Sequence, residues 1–283
     1  MLGKLIKHEF KAVGKFLTIV ASFMVCLTLV GAIGIYVFTP HLYFYLNGIT
    51  IDGTQNLSFF AEIMTSLYVL AYFASAFLLT AGTYIYLWIR FHNSMYGHQG
   101  YLTNTLPTTP AKLIMAKMIT AVTWVSASIL LLIGSIMVLA TATANASGAK
   151  TNNNLPELAA LLRESRISVP WTIVLYFSLA VAAIIFSVMM MYGSSALGQL
   201  AKKNRVFATL GFYFAMTMVI NVVGTFALAV NALIINRDKF GEYFYIFRGI
   251  NLIGFTFLVL AVVGAVLLYF LTYYVTSKRL NLE

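Results

Sequence analysis

The sequence predicts an all-α polytopic membrane protein with six transmembrane helices, and two observations carry that prediction. Of 283 residues, 61% are hydrophobic and only 9% charged, against roughly 25% charged in soluble domains. The apolar residues also gather into six long segments, and roughly 20 residues suffice to cross a hydrocarbon core about 30 Å thick. The segments cover about residues 16–38, 63–89, 113–140, 169–197, 206–235 and 250–275. Together they make one transmembrane domain over residues 1–283, with no soluble domain. Several exceed the minimum and have room to tilt.

Ahead of the first span, MLGKLIKHEFKAVGKFL alternates with helical period. Leu2, Leu5, Ile6, Phe10, Val13 and Leu17 share one face, and Lys4, Lys7, Lys11 and Lys15 the other. That pattern predicts an amphipathic helix lying in the membrane interface before the chain turns into the bilayer. No small-residue cleavage site follows it, so the first span reads as uncleaved. Cys26, the single cysteine, excludes an internal disulfide and reads as a small buried hydrophobe. The five prolines (Pro40, Pro107, Pro110, Pro156, Pro170) are expected in loops or at span starts, where a missing N–H costs least.

Two connections are richer than plain turns. Between spans three and four, NNNLPELAALLRESR predicts a short amphipathic helix with Leu155, Leu158, Leu161 and Leu162 on one face and a cap near Asn154. Between spans five and six, Phe240, Tyr243, Phe244, Tyr245 and Phe247 crowd a few residues. Aromatic residues at that depth form an interface belt; an outer gate is the alternative reading.

Charge orients the chain. Lys4, Lys7, Lys11, Lys15, Arg90, Lys112, Lys117, Lys202, Lys203, Arg205, Lys278 and Arg279 fall on one side with only Glu9 and Glu283 for acids. On the other side Lys150, Arg163, Arg166, Arg237, Lys239 and Arg248 are matched by Asp52, Glu62, Glu157, Glu164, Asp238 and Glu242. The positive-inside rule then places both termini in the cytoplasm. The excess of +10 faces anionic headgroups there, so nucleic acid is not needed to explain it.

Ionisable groups are expected only outside the span interiors, which argues against an ion-coupled carrier or an intramembrane protease, since each such group costs at least about 2.5 to 3.5 kcal/mol. His8, His41, His92 and His98 are too scattered for a metal site, and no phosphate-binding GxxxxGK[ST] occurs. The chain is therefore expected not to be an enzyme and to hold no cofactor. Polarity inside the spans comes from Thr80, Thr83, Tyr84, Thr120, Thr123, Ser126, Ser128, Ser194, Ser195 and Gly198. Such residues let helices approach and hydrogen-bond to backbone; the alternative reading is that together they line a weakly polar path for cargo.

MYGHQGYLTNTLPTTPAKL, from Met95 to Leu113, lies between spans two and three. Gly97 and Gly100 allow tight turns, Tyr101 to Leu106 can form a short helix, and Thr109 followed by Pro110 reads as N-cap and first residue of span three. The short helix would present Tyr101, Leu102 and Leu106, a hydrophobic face suited to a partner's groove. In YGHQGYLTNTLP, in the element order, and in GQLAKKNRV between spans four and five, the chain resembles the membrane subunit of a bacterial ATP-binding cassette exporter of the type-2 permease class. Such sequences often carry an acid where this one has Gln99.

The resemblance implies a coupling helix over Gly97, His98, Gln99, Gly100, Tyr101, Leu102, Thr103, Leu106 and Pro107, with a second contact at Lys202, Lys203 and Arg205. It implies two separate ATPase subunits that bind ATP and Mg, and a second permease chain, identical or not. It also implies that the aromatic segment after Asp238 is re-entrant. The cargo would be a hydrophobic or amphipathic peptide, toxin, antimicrobial or drug. An ATP-independent channel or carrier, and a non-transporting partner in peptide sensing or resistance, are the competing readings. In a Cys26→Ser background, Thr105→Cys is expected to react with a membrane-impermeant maleimide only in inside-out vesicles; labelling in intact cells would reverse the topology.

Overall fold

The computed structural model describes residues 2–46, 55–97, 100, 109–146, 169–201, 204–235 and 242–278. Six helices account for nearly all of them: α1 (Leu2–Leu46), α2 (Gln55–Met95), α3 (Pro110–Ala146), α4 (Val169–Gly198), α5 (Arg205–Ile235) and α6 (Glu242–Lys278). Each contains a segment long and apolar enough to cross a membrane: Gly3–Val37, Ile63–Met95, Pro110–Ala146, Pro170–Gly198, Arg205–Ile234 and Asn251–Ser277. Lipid supplies no hydrogen-bond partners, so a chain this apolar closes its backbone bonds within helices.

The first helix differs from expectation at both ends. No separate interfacial helix precedes the span, because α1 runs unbroken over 45 residues, about 68 Å at 1.5 Å per residue. Gly14 marks a contact rather than a turn: a Cβ there would meet the Trp124 ring at 3.3 Å, and Phe10 tilts against the same ring at 5.2 Å between centroids. Val13 and Leu17 are buried, while Lys4, Lys7, Lys11 and Lys15 are exposed. The amphipathic pattern is therefore real, but its apolar side meets protein. At the far end the helix continues through Pro40, which removes one N–H from the ladder without ending it. Cys26 is exposed rather than buried, because it falls off the stripe of Val20, Met24 and Thr28 that faces inward.

The chain divides into two compact units. One comprises Lys7–Leu87 and Thr123–Asn152, hence most of α1, α2 and α3. Its core is Val20, Met24 and Leu79, packed by Ala21, Tyr72, Ala76, Leu131 and Leu132. Hydroxyls cross-link it: Tyr68 donates to the Leu27 carbonyl (3.2 Å) and Tyr72 bonds Ser135 (2.8 Å). Phe16 stacks on Tyr86 at 4.5 Å.

The other unit comprises Met1–Ile6, Trp88–Val122 and Asn153–Glu283. Here α4 is central, packed against α6 and α5, and every residue from Val188 to Ala196 is buried. Small residues set the approach of the helices: a Cβ on Gly198 would lie 2.9 Å from the Thr209 Cα, and Gly264 lies under the Phe186 ring. At the opposite end of α5, buried Asn231 donates to Thr256 on α6 (3.0 Å).

Because backbone cannot yield as a flexible side chain can, Gly198→Ala is expected to destabilise by about 1–3 kcal/mol. Gly134, with nothing within 4 Å, should gain roughly 0.5–1 kcal/mol on replacement by Ala from helix propensity. Thermal unfolding in detergent separates them; shifts of the same sign would mean that α4 and α5 do not meet at Gly198.

Candidate functional site

The site is built where α2 ends and α3 begins. Tyr96 and Gly97 both donate their N–H to the His92 carbonyl (2.8 and 3.1 Å), closing α2, and the Gly100 N–H reaches the Gly97 carbonyl (2.7 Å). A Cβ on Gly97 would fall 2.9 Å from the Asn93 carbonyl oxygen, so the turn needs a residue without a side chain. On the other side the Thr109 carbonyl accepts from Lys112 (3.0 Å) and Leu113 (3.3 Å), and Pro110 is the first residue of α3, as expected. His98, Gln99, Tyr101, Leu102, Thr103, Leu106 and Pro107 lie outside the described residues.

Behind the turn is a buried aromatic and hydroxyl cluster. Phe91 stacks on Tyr192 of α4, 3.7 Å between centroids and 11° from parallel. Tyr96 meets Phe91 edge-on at 5.9 Å and bonds Thr276 of α6 at 3.1 Å. The Thr276 proton is committed to the Thr272 carbonyl (2.7 Å), so the Tyr96 hydroxyl is the donor. Tyr192 donates to the Lys117 carbonyl of α3 (3.2 Å), and the Trp88 indole to Ser195 of α4 (2.7 Å). Burial pushes the Tyr96 phenol up to about 12. The two helix ends that hold the turn are thus tied to α4 and α6 by stacking and hydrogen bonds.

Lys117 departs from expectation. It is 5% exposed and lies within the membrane-span candidate of α3 rather than on its solvated side. The cause is helical spacing: Lys117 sits four residues after Leu113 and three and four before Thr120 and Ala121, all buried. Lys112, one step off that stripe, is exposed.

The proposed second contact is described only at Arg205, which opens α5; Lys202 and Lys203 lie outside the described residues. Asn204 precedes it at φ 55°, a left-handed conformation that asparagine tolerates, and its carbonyl accepts from Ala208 (3.0 Å). Tyr243, Phe244, Tyr245 and Phe247 fall in the opening turns of α6, continuous with the last span, whereas Phe240 lies outside the described residues. The amphipathic segment around Leu155, Leu158, Leu161 and Leu162 lies outside them too.

The span hydroxyls satisfy themselves within helices. Thr80, Thr120, Ser128, Ser194 and Ser195 each donate to a carbonyl three or four residues back. Thr83, Thr120, Ser128, Ser194 and Ser195 are also buried. A cavity among the described residues of the second unit is apolar, about 630 Å³ between α4, α5 and α6. No cluster of three or more metal-ligating side chains occurs among the described residues. The sequence reading missed the roles of Trp88, Phe91, Tyr96, Tyr192, Thr276 and Asn231. Thr272 and Thr276, four residues apart near the end of α6, were the visible signal that this end carries polar contacts.

Compared with models of known protein families, with curated proteins and with solved structures, the chain matches none. Fold and geometry define a six-span, all-helical, multi-pass membrane protein.

Tyr96→Phe is expected to cost about 1 kcal/mol at neutral pH by losing the bond to Thr276. The raised phenol pKa adds a second signature. The folded state holds the Tyr96 proton more tightly than the unfolded state, so this contribution is complete below the ordinary value near 10 and is lost as pH rises towards about 12. That alkaline component should shrink in Tyr96→Phe; an unchanged component would show that it comes from another group.

Proposed function

We propose that the chain is the membrane subunit of an ATP-driven exporter of the ATP-binding cassette type, set in a bacterial cytoplasmic membrane with both termini inside. The turn between Gly97 and Thr109 is the docking element for a separate ATPase subunit. The observation that carries this reading is the anchoring of both ends of the turn. A load on it passes through Phe91 and Tyr96 into α4 and α6, and through Lys117 into α4. A turn that merely reverses the chain has no need of such support.

Two ATPase subunits bind ATP and Mg; this chain is not itself an enzyme and holds no cofactor. A second permease chain, identical or not, completes the pathway. Closure of the ATPases displaces the docking turns and shifts the spans between inward and outward openings. The scarcity of ionised side chains within the spans supports a nucleotide source of energy over an ion gradient. The hydrophobic interior supports a hydrophobic or amphipathic cargo, a peptide, toxin, antimicrobial or drug. Lys202, Lys203 and Arg205 supply a second contact, the lysines of α1 hold anionic lipid, and the aromatic residues Phe240, Tyr243, Phe244, Tyr245 and Phe247 form the outer gate.

The test is co-purification of the chain with its ATPase after Tyr101→Asp and Leu102→Asp. Each carboxylate placed in an apolar groove should weaken the complex by roughly 2 kcal/mol or more, some thirtyfold, and abolish cargo-stimulated hydrolysis. An intact, fully active complex in both variants would remove the docking assignment.

A further inference from the structure

The cavity in the second unit has a shape and chemistry of its own. Its lining runs from Leu179 to Met190 on α4, Phe212 to Gly224 on α5 and Phe257 to Leu268 on α6. Each stretch covers 11 or 12 residue steps, so the slot is about 17 Å long at 1.5 Å per step. A volume of about 630 Å³ spread over that length leaves a slot roughly 7 Å across. All three stretches straddle the middle of their spans, far from headgroups and water.

Its origin lies in how α5 is held. One end is pressed to α4 at Gly198 and Thr209; the other is bonded to α6 through Asn231 and Thr256. Between these two clamps the contacts of α5 loosen to ordinary van der Waals distance, as at Met216 and Gly224, and the slot opens beside them. Met190, Ala261 and Leu268 form a buried floor, and Val219 and Leu267 an exposed rim. Every lining side chain is aliphatic, aromatic or thioether, so nothing there can bind a headgroup, a peptide bond or an ion. An unbranched hydrocarbon chain fits. A cavity of about 150 Å³ takes benzene, so this one accommodates on the order of twenty carbons.

We infer that the slot between α4, α5 and α6 is a binding site for one acyl chain of a membrane phospholipid. The tail fills a packing defect that would otherwise forfeit dispersion contacts along three helices, and the exposed rim lets it enter sideways from the bilayer. The site rests only on the six-span membrane reading and stands whether or not an ATPase docks.

The test uses the full chain in phosphatidylethanolamine/phosphatidylglycerol vesicles doped with a phosphatidylcholine that carries a diazirine midway along one acyl chain. Photolysis is expected to label peptides from the slot lining above those from other lipid-facing surfaces. Ala183 and Ala215 line the slot but are exposed, so Ala183→Phe and Ala215→Phe fill it without overpacking the core. The pair should cut slot labelling about fivefold or more by removing the volume that buries the methylenes. Val222→Phe, exposed and outside the lining, should leave labelling unchanged. If the double variant fails to run as a single species on gel filtration, each single variant is read instead. Unchanged labelling in the filled variants, or label spread evenly over all six helices, would overturn the site. So would a Val219→Cys disulfide dimer in the Cys26→Ser background, which would give the rim to a second copy.

Discussion

Hydrocarbon offers a polar group no water to fall back on, and the way this chain satisfies its hydroxyls shapes much of its structure. A serine or threonine in a helix donates its single proton to a carbonyl one turn back, which leaves its oxygen with lone pairs to spare. Neighbouring helices use them. Ser195 donates to Met191 and accepts from Trp88; Thr276 donates to Thr272 and accepts from Tyr96. Ser135 donates to Leu132 and accepts from Tyr72; Thr256 donates to Ile253 and accepts from Asn231. In each case a small hydroxyl on one helix receives a larger donor from another. Cross-links of this kind average about 0.6 kcal/mol in membranes, so their weight lies in fixing which faces meet.

That logic explains what could be read from the sequence. Span number and approximate limits follow from composition and length, and all six predicted segments fall inside observed helices. Thr109 and Pro110 as the start of α3 and the turns at Gly97 and Gly100 follow from local backbone chemistry. The partner of each face did not follow. In a soluble helix polarity marks the outside, but in α4 and α5 both the buried and the lipid-facing sides are apolar, so periodicity carries no direction. Cys26 was misread for this reason, being apolar by neighbourhood yet outside the inward stripe of α1. The burial of Lys117 was hidden differently: a basic residue near a span end satisfies the charge rule wherever its helix face points. Of the turn between α2 and α3 only the two ends are described, and these match what glycine and proline chemistry requires.

Glycine divides the second unit into tight and loose regions. Where Gly198 meets Thr209 and Gly264 meets Phe186, helices touch as closely as backbone allows. Between Thr209 and Asn231 the glycine contacts of α5 are looser: a Cβ on Gly193 would lie 3.6 Å from Met216 and one on Gly224 3.6 Å from Phe257, both ordinary van der Waals distances. Close contact at both ends and slack between them is what opens the slot. α5 buries little of itself within the unit, as a helix can whose surroundings are as apolar as its own surface.

The cluster behind the turn between α2 and α3 makes a different choice of interaction, and the reason is again the medium. The contacts that tie the turn near Gly97 to α4 and α6 have to survive partial burial. An ion pair there would require two charges to be stripped of water, a cost that often exceeds their attraction. A stacked pair such as Phe91 and Tyr192 carries no charge and so gives up no ionic solvation when buried; it is worth roughly 0.5–1.5 kcal/mol beyond its area. The neutral phenol of Tyr96 adds direction without adding charge, and burial keeps it neutral well above physiological pH. A joint made of rings and hydroxyls therefore holds its geometry against changes in salt and pH across the physiological range.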